Sequence, residues 1–128
     1  MLRKFRIGAP RKRGEGLRIG TTRRPPRGVP RSRWSRDGYF DVWFPIVAPS
    51  AALLRRIERT NFEDAPARRR FFAAYERELQ KPPARYGVAL LAALAKRTPI
   101  AIGCYCADET RCHRSVLKKV VDRQAKRR

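Results

Sequence analysis

The feature that most constrains the fold is an apolar run followed by a short polar stretch and an amphipathic segment. Residues 100–105 have the length and β-branched content of a buried strand. The next hydrophobic positions recur at helical spacing: Val116, Leu117, Val120 and Val121. A helix is therefore predicted to begin between residues 111 and 115, directly after the turn that follows the strand.

Upstream of this unit, the pattern predicts strands first and helices afterwards. Phe5 and Ile7 alternate with charged residues, as do Leu17 and Ile19, which predicts two short strands with a basic outer face. Residues 14–16 are predicted to form the turn between them. Three prolines exclude a helix from residues 21–36, and the aromatic-rich residues 39–46 predict an extended segment that reaches position 49.

Three further helices are predicted before the apolar run. The first begins after Ser50 as N-cap, with Leu53, Leu54 and Ile57 on one face. The second extends from a cap at position 64 to position 79, and the third covers residues 85–97. Strands at the start and a helix–strand–helix succession at the end predict an α/β fold with a small, partly parallel sheet flanked by helices, formed by residues 1–128 as a single domain. Ligands in such sheets bind at the carboxyl ends of the strands.

The net charge points to an anionic partner. The 128-residue chain has a formal charge of +21, and residues 1–36 carry thirteen lysines and arginines against one acid. A second basic stretch lies at residues 122–128. Such an excess is typical of proteins that bind nucleic acid or another polyanion, because each neutralised phosphate releases counterions. The alternative is a basic composition that only aids solubility.

Cysteine use and hydropathy indicate a cytoplasmic protein. Three cysteines are too few, and odd in number, for a disulfide scaffold, so a reducing compartment is expected. The longest apolar run, residues 87–95, is far shorter than a membrane span. No membrane association is therefore predicted.

The start of the last helix is a candidate anion site. A helix N-terminus presents unpaired N–H groups to an anion, and arginine binds phosphate oxygens through two parallel hydrogen bonds. If the sheet brings the early arginine loop beside this helix, one positive pocket results. The predicted ligand-binding residues are Arg23, Arg27, Cys104, Tyr105, Arg111, Arg114 and Ser115. The alternative is that Ser115 or Thr110 caps the helix while the arginines remain solvated.

The same segment allows thiol chemistry or a metal. Cys112 beside His113 has the surroundings that lower a thiol pKa, so these two are the candidate catalytic residues. Cys104 is equally well explained as a small buried hydrophobe. No cofactor is predicted; the alternative is a structural zinc site with the ligands Cys104, Cys106, Cys112 and His113.

The order of these motifs resembles one known family. Cys104-Tyr105 followed by Cys112-His113-Arg114-Ser115 resembles the C-terminal signature of the domain of unknown function 488, also called YeaO-like. Further matches lie upstream: Arg23, Pro26, Arg27 and Gly28; Trp43; Ala48-Pro49-Ser50; and Phe71, Tyr75 and Leu79. The chain departs from the pattern at Thr22, where many relatives have an acid, and at Pro25, where an aromatic residue is expected. The resemblance implies a small cytoplasmic α/β protein and no established activity.

Two functional hypotheses follow from different classes. The first is binding of a phosphate-bearing ligand or nucleic acid through an arginine-rich pocket at the start of the last helix. The second is a thiol- or histidine-dependent enzyme that acts on a nucleotide or another small anion. Whether any reaction is catalysed stays open at this point, as does the oligomeric state.

Overall fold

The computed structural model describes residues 2–60, 63–105 and 112–127, with the backbone alone at residues 59 and 60. Its strands are β1 (Leu2–Arg6), β2 (Leu17–Gly20), β3 (Val42–Trp43) and β4 (Ile100–Cys104). Its helices are α1 (Ala51–Thr60), α2 (Ala65–Leu79), α3 (Ala84–Arg97) and α4 (His113–Lys126). Short 3₁₀ turns lie at Arg31–Arg33 and Pro45–Val47. The predicted α/β class is confirmed.

The four strands form one parallel sheet in the order β1-β4-β2-β3. The last strand in the chain lies in the centre of the sheet, where Ile100 pairs with Leu2 on one side and Leu17 on the other. Since all the strands are parallel, their carboxyl ends meet at a single edge. This carboxyl edge is where the loops after β2 and β3, the end of β4 and the start of α4 come together.

The two faces of the sheet bury different side chains. Alternate residues of a strand point to opposite faces, so Ile100 and Ile102 belong to one core and Ala101 to the other. All four helices contribute to the Ile100 core. On the opposite face the cover comes from loops with aromatic side chains: Phe5, Trp34 and Phe40 pack there, and the Trp34 and Phe40 rings meet edge to face at 5.0 Å.

The helix boundaries follow local sequence signals. The Ser50 hydroxyl accepts a hydrogen bond from the Leu53 N–H at 3.2 Å, so Ser50 caps α1 as predicted. Asp64 precedes α2 with no side-chain cap bond, and Pro66 occupies the first turn. The α2 face with Phe71, Tyr75 and Leu79 is buried. The predicted basic tail, residues 122–128, begins within α4, which carries Arg123 and Lys126 in its last turn.

The predicted turn before the second strand is present, because the Glu15 N–H donates to the Lys12 carbonyl and Gly14 and Gly16 have positive φ, but the two strands do not pair with each other. β4 lies between β1 and β2, so residues 7–16 return the chain to the opposite edge of the sheet instead of forming a hairpin. Gly16 has a φ of +83°, and a Cβ at this position would overlap the carbonyl of Pro99. The glycine therefore permits a close approach to the residue before β4.

Two expectations about β2 and β3 require correction. The predicted basic outer face of β2 is wrong, because Arg18 is fully buried whereas Leu17 is 40% exposed. Burial is possible because the Glu15 carboxylate pairs with the Arg18 guanidinium. The extended segment at residues 39–49 is interrupted: only Val42–Trp43 is a strand, since β3 pairs with β2 over two residues.

Candidate functional site

A buried group of sulfur and nitrogen atoms lies where β4 ends and α4 begins. Cys104 is the last residue of β4, and Cys112 is the N-cap of α4, directly before His113. The sulfur atoms of Cys104 and Cys112 are in disulfide contact, and Cys112 Sγ lies 3.7 Å from His113 Nδ1. Donor atoms of all three residues lie within 4.8 Å of one another, and all three residues are buried. We call these residues the Cys-His cluster.

His113 is held in one orientation by a residue of the loop after β2. Its Nε2 lies 2.9 Å from the backbone carbonyl of Thr21, just after β2. A carbonyl oxygen only accepts, so Nε2 carries the hydrogen and Nδ1 has a lone pair directed toward Cys112. Burial lowers the pKa of His113 to about 4, with a further lowering by Arg114, while the Thr21 bond opposes both. The imidazole is therefore neutral at neutral pH.

Arg114 lies in the interior and not in a solvent-exposed pocket. Its Nη1 donates to the carbonyl oxygens of Phe5 at 3.1 Å and Cys104 at 3.2 Å, and to Cys104 Sγ at 3.7 Å. These groups stand at the ends of two paired strands, and Arg114 is 2% exposed. In the structure the Arg114 guanidinium thus binds backbone carbonyls and a sulfur, instead of lying with the early arginines in one pocket.

A cavity of about 390 Å³ lies at the same carboxyl edge, between the loop after β2, helix α1 and the residue after β4. We call it the arginine pocket. Its lining residues are Thr22, Arg23, Arg24, Ala51, Leu54, Arg55, Glu58 and Tyr105. Two of the predicted ligand residues, Arg23 and Tyr105, are therefore together in one cavity.

Arg23 joins two loops at the entrance to α1. Its Nε donates to the Pro49 carbonyl at 3.0 Å and its Nη2 to the Ala48 carbonyl at 2.9 Å. The side chain of Thr22 donates to the Arg24 carbonyl at 2.7 Å, which shapes the same loop. Thus β2 and α1 are fixed relative to each other at the pocket wall.

The remaining predicted residues lie elsewhere or cannot be placed. The Ser115 hydroxyl donates to the Cys112 carbonyl at 2.9 Å, so it serves the first turn of α4. Arg27 is exposed and is not among the lining residues of the arginine pocket that the structure describes. Arg111 and Cys106 lie outside the described residues.

Two arginines of the pocket were not predicted from the sequence as ligand residues. Arg24 directly follows Arg23, and Arg55 lies on the exposed side of α1. A signal for Arg24 was present, because it lies in the loop after a strand whose carboxyl end faces the site. Arg55 carried no such signal, since only the packing of α1 beside β2 brings it there.

Tyr105 adds a neutral hydroxyl to the pocket. Burial raises its pKa above the ordinary value of a phenol, and the nearby Tyr39 raises it further. The phenol therefore stays protonated near neutral pH and offers both a hydrogen-bond donor and a ring face.

The fold and its carboxyl edge define a class: a small parallel α/β protein with a buried Cys-His cluster next to an arginine pocket. Comparison with family models then gives the family. The chain belongs to the DUF488 family, since the model DUF488-N3a, described as "Active DUF488-N3 subclade", matches residues 2–125. The resemblance noted from the sequence is confirmed.

The other comparisons add no relative. Neither the curated proteins nor the solved structures gave a match. Among the described helices, none has the length and apolar character that a membrane crossing requires.

Proposed function

We propose that this protein binds a small phosphate-bearing ligand, such as a nucleotide, in the arginine pocket. The observation that carries the proposal is the charge of the cavity wall: Arg23, Arg24 and Arg55 line it together with one acid, Glu58. The location supports the same conclusion, because parallel α/β sheets bind their ligands at the carboxyl ends of the strands.

The pocket has the chemistry and the size that such a ligand requires. Guanidinium groups bind phosphate oxygens in pairs of parallel hydrogen bonds. A cavity of about 390 Å³ falls in the range of small-molecule sites. The ring of Tyr105 offers a surface on which a base can stack.

Arg23 is the residue that we expect to orient the ligand. Its two described hydrogen bonds use Nε and Nη2 and hold the guanidinium in place. Nη1 is then the nitrogen that can donate to a phosphate oxygen. A guanidinium fixed in advance loses less side-chain entropy when it binds a ligand.

Titration with inorganic phosphate and with adenosine monophosphate tests the proposal, using calorimetry at low salt. Arg24→Ala and Arg55→Ala should each weaken binding about 10- to 100-fold, because one hydrogen bond to a charged group contributes about 1.5–3 kcal/mol. These two residues are exposed, so their replacement leaves the core intact.

The matched control is Arg97→Ala. Arg97 is exposed at the end of α3, just before β4 begins, and therefore lies toward the opposite edge of the sheet. The variant Arg97→Ala removes the same single positive charge and leaves the residues that line the arginine pocket unchanged. Equal weakening by Arg97→Ala and by Arg55→Ala would show that only net charge matters and would contradict the proposal.

A second candidate function, nucleic-acid binding, is favoured by the surface beyond the pocket. Arg56 and Arg70 line a groove between α1 and α2, and Arg56, Arg77 and Lys81 line the adjoining groove. Affinity for a single-stranded oligonucleotide should then fall steeply with salt. The variant Arg56→Glu with Arg70→Glu should lower that affinity while phosphate binding in the arginine pocket is retained. An affinity for the oligonucleotide that does not change with salt concentration would exclude this function.

A chemical step by Cys112 or His113 on the bound ligand stays a prediction. It requires that Cys112 react as a thiolate. Alkylation of the reduced protein with iodoacetamide as a function of pH measures this, and a rate that rises only near the ordinary thiol pKa of about 8.5 would exclude a nucleophilic Cys112.

A further inference from the structure

The Cys-His cluster has the donor set of a metal site. Cys104 Sγ, Cys112 Sγ and a ring nitrogen of His113 lie within 4.8 Å of one another, in the interior. Thiolate sulfur and imidazole nitrogen are the preferred ligands of zinc in structural sites. The cluster is distinct from the arginine pocket, and its role does not depend on a phosphate ligand.

The spacing of one donor pair matches tetrahedral coordination. With Zn–N and Zn–S bonds of about 2.0 and 2.3 Å, the edge between a nitrogen and a sulfur ligand is about 3.6 Å. The distance from His113 Nδ1 to Cys112 Sγ is 3.7 Å. Two sulfurs on one zinc stand about 3.8 Å apart, so a bound ion would separate the sulfurs of Cys104 and Cys112.

The surroundings of His113 are those of a metal ligand. A histidine that binds a metal generally donates its other ring N–H to a carboxylate, a carbonyl or water, which fixes the ring and its tautomer. His113 Nε2 is bound to the Thr21 carbonyl at 2.9 Å, and this leaves the Nδ1 lone pair directed into the cluster.

Arg114 places a positive charge beside the nearer sulfur. Its Nη1 donates to Cys104 Sγ at 3.7 Å, and both residues are buried. A positive charge beside a sulfur stabilises the deprotonated form, which is the form that binds metals.

The backbone separation distinguishes a metal from a covalent bridge. The Cα atoms of Cys104 and Cys112 are 7.9 Å apart. Cysteines whose Cα atoms are more than about 7 Å apart are not bridged without backbone movement. An ion bound between the two sulfurs is compatible with this separation of the Cα atoms.

We propose that Cys104, Cys112 and His113 bind one zinc ion or a similar soft divalent cation. Binding displaces the thiol protons, so that one Zn²⁺ and two thiols give a neutral Zn(S)₂ unit and two released protons, and His113 binds through the Nδ1 lone pair. The fourth coordination position is left for a ligand other than these three residues. The ion joins the end of β4 to the start of α4 and, through Thr21, to the end of β2.

The experiment uses the full chain, reduced, stripped of metal with a chelator and titrated with Co²⁺ alone. We expect one Co²⁺ per chain, with the thiolate-to-cobalt charge-transfer absorption and d–d bands of a tetrahedral site, displaced by Zn²⁺. Zn²⁺ should also release protons and protect two thiols from a disulfide reagent in the unmutated protein, a measurement that needs no variant.

Variants assign the ligands. Cys104→Ser and Cys112→Ser should each lose part of the charge-transfer absorption and weaken binding by more than about 100-fold, beyond the loss typical of residues that only support a ligand. Ser115→Ala, on the same turn of α4, should bind as the original chain does. Circular dichroism of each metal-free variant establishes that it is folded.

Three results would overturn the proposal. One is the absence of thiolate-to-cobalt absorption in the unmutated protein with excess Co²⁺. Another is Co²⁺ binding that is unchanged in both serine variants. The third is a Cys104–Cys112 disulfide that persists in reductant and is seen as the loss of two hydrogens by mass spectrometry. None of these results affects phosphate binding in the arginine pocket, so the two proposals fail separately.

Discussion

Two buried arginines contact Phe5 of β1 and are stabilised in different ways. Arg18 pairs with the Glu15 carboxylate, donates to the carbonyls of Gly38 and Pro10, and lies 4.4 Å over the Phe5 ring. For Arg114 the described partners are two carbonyls at the strand ends and the sulfur of Cys104. Both side chains are nearly inaccessible to solvent.

The difference shows how each region uses a buried charge. Around Arg18, the Glu15 carboxylate three residues away neutralises the guanidinium. Burial by itself would raise the pKa of Glu15, but the hydrogen bonds from Arg18 and the Lys12 N–H outweigh burial, and the pKa is lowered. Around Arg114 the charge is directed at polar backbone groups and a sulfur. The Arg18 region is therefore a structural ion pair, whereas the described bonds of Arg114 go to backbone carbonyls and a sulfur.

The largest effect is expected at the Arg18 ion pair. Arg18→Ala leaves the Glu15 carboxylate buried without its partner, which should lower the free energy of unfolding by about 3–5 kcal/mol. Denaturant unfolding measures it, and the double variant Arg18→Ala with Glu15→Ala should recover part of the loss. A loss below about 1 kcal/mol, the value of an exposed pair, would contradict this account.

A smaller loss is expected at Arg114. Arg114→Met keeps much of the side-chain volume and removes the hydrogen bonds to Phe5 and Cys104, which should cost about 1.5–3 kcal/mol of unfolding free energy. The measurement is the same denaturant titration, made with metal-free protein. If Arg114→Met costs more than Arg18→Ala, then the proposed contrast between the two regions is reversed.

An acid-dependent effect is expected at Asp41, which connects the Arg18 region to the loop after residue 30. Burial tends to raise its pKa, but bonds from Arg11, Ser35 and the Arg18 N–H lower the pKa to about 2, from 3.8. Since the folded pKa lies below the unfolded value, the stabilisation is present above pH 3.8 and is lost as the pH falls toward 2. After allowance for solvent screening it amounts to about 1–2 kcal/mol.

Asp41→Asn should remove this pH-dependent contribution. Unfolding free energies of both proteins measured between pH 2 and pH 6 provide the test. The two proteins should converge at the acid end of this range. A difference that does not vary with pH would show that Asp41 is not ionised in the folded protein.

The smallest effect on stability is expected for the solvated arginines. Arg24→Ala and Arg27→Ala should each change the unfolding free energy by less than about 0.5 kcal/mol, as surface substitutions do. Only Arg24 lines the arginine pocket, so only Arg24→Ala should weaken phosphate binding. Equal weakening by Arg27→Ala would show that the predicted wider pocket, which includes Arg27, is correct.

Much of the secondary structure could be predicted because its signals are local. The cap at Ser50, the hydrophobic spacing of α4 and the apolar run of β4 each depend on neighbours in sequence. For the same reason the position of the Cys-His cluster, at a strand end and a helix start, could be predicted. The predicted length of β3 is too great, because aromatic content does not reveal how many residues of a segment pair with a neighbouring strand.

Only the tertiary structure decided the strand order and the division of the arginines between core and pocket. Whether an arginine is buried depends on the carbonyls and acids that reach it, and these come from distant parts of the chain: Arg114 binds a carbonyl 109 residues away, and His113 binds one 92 residues away. Amino-acid sequence by itself determined that basic side chains, two cysteines and a histidine would gather near the end of β4. Packing determined which of those side chains meet solvent, because the burial of a charge is a property of its surroundings and not of its residue type.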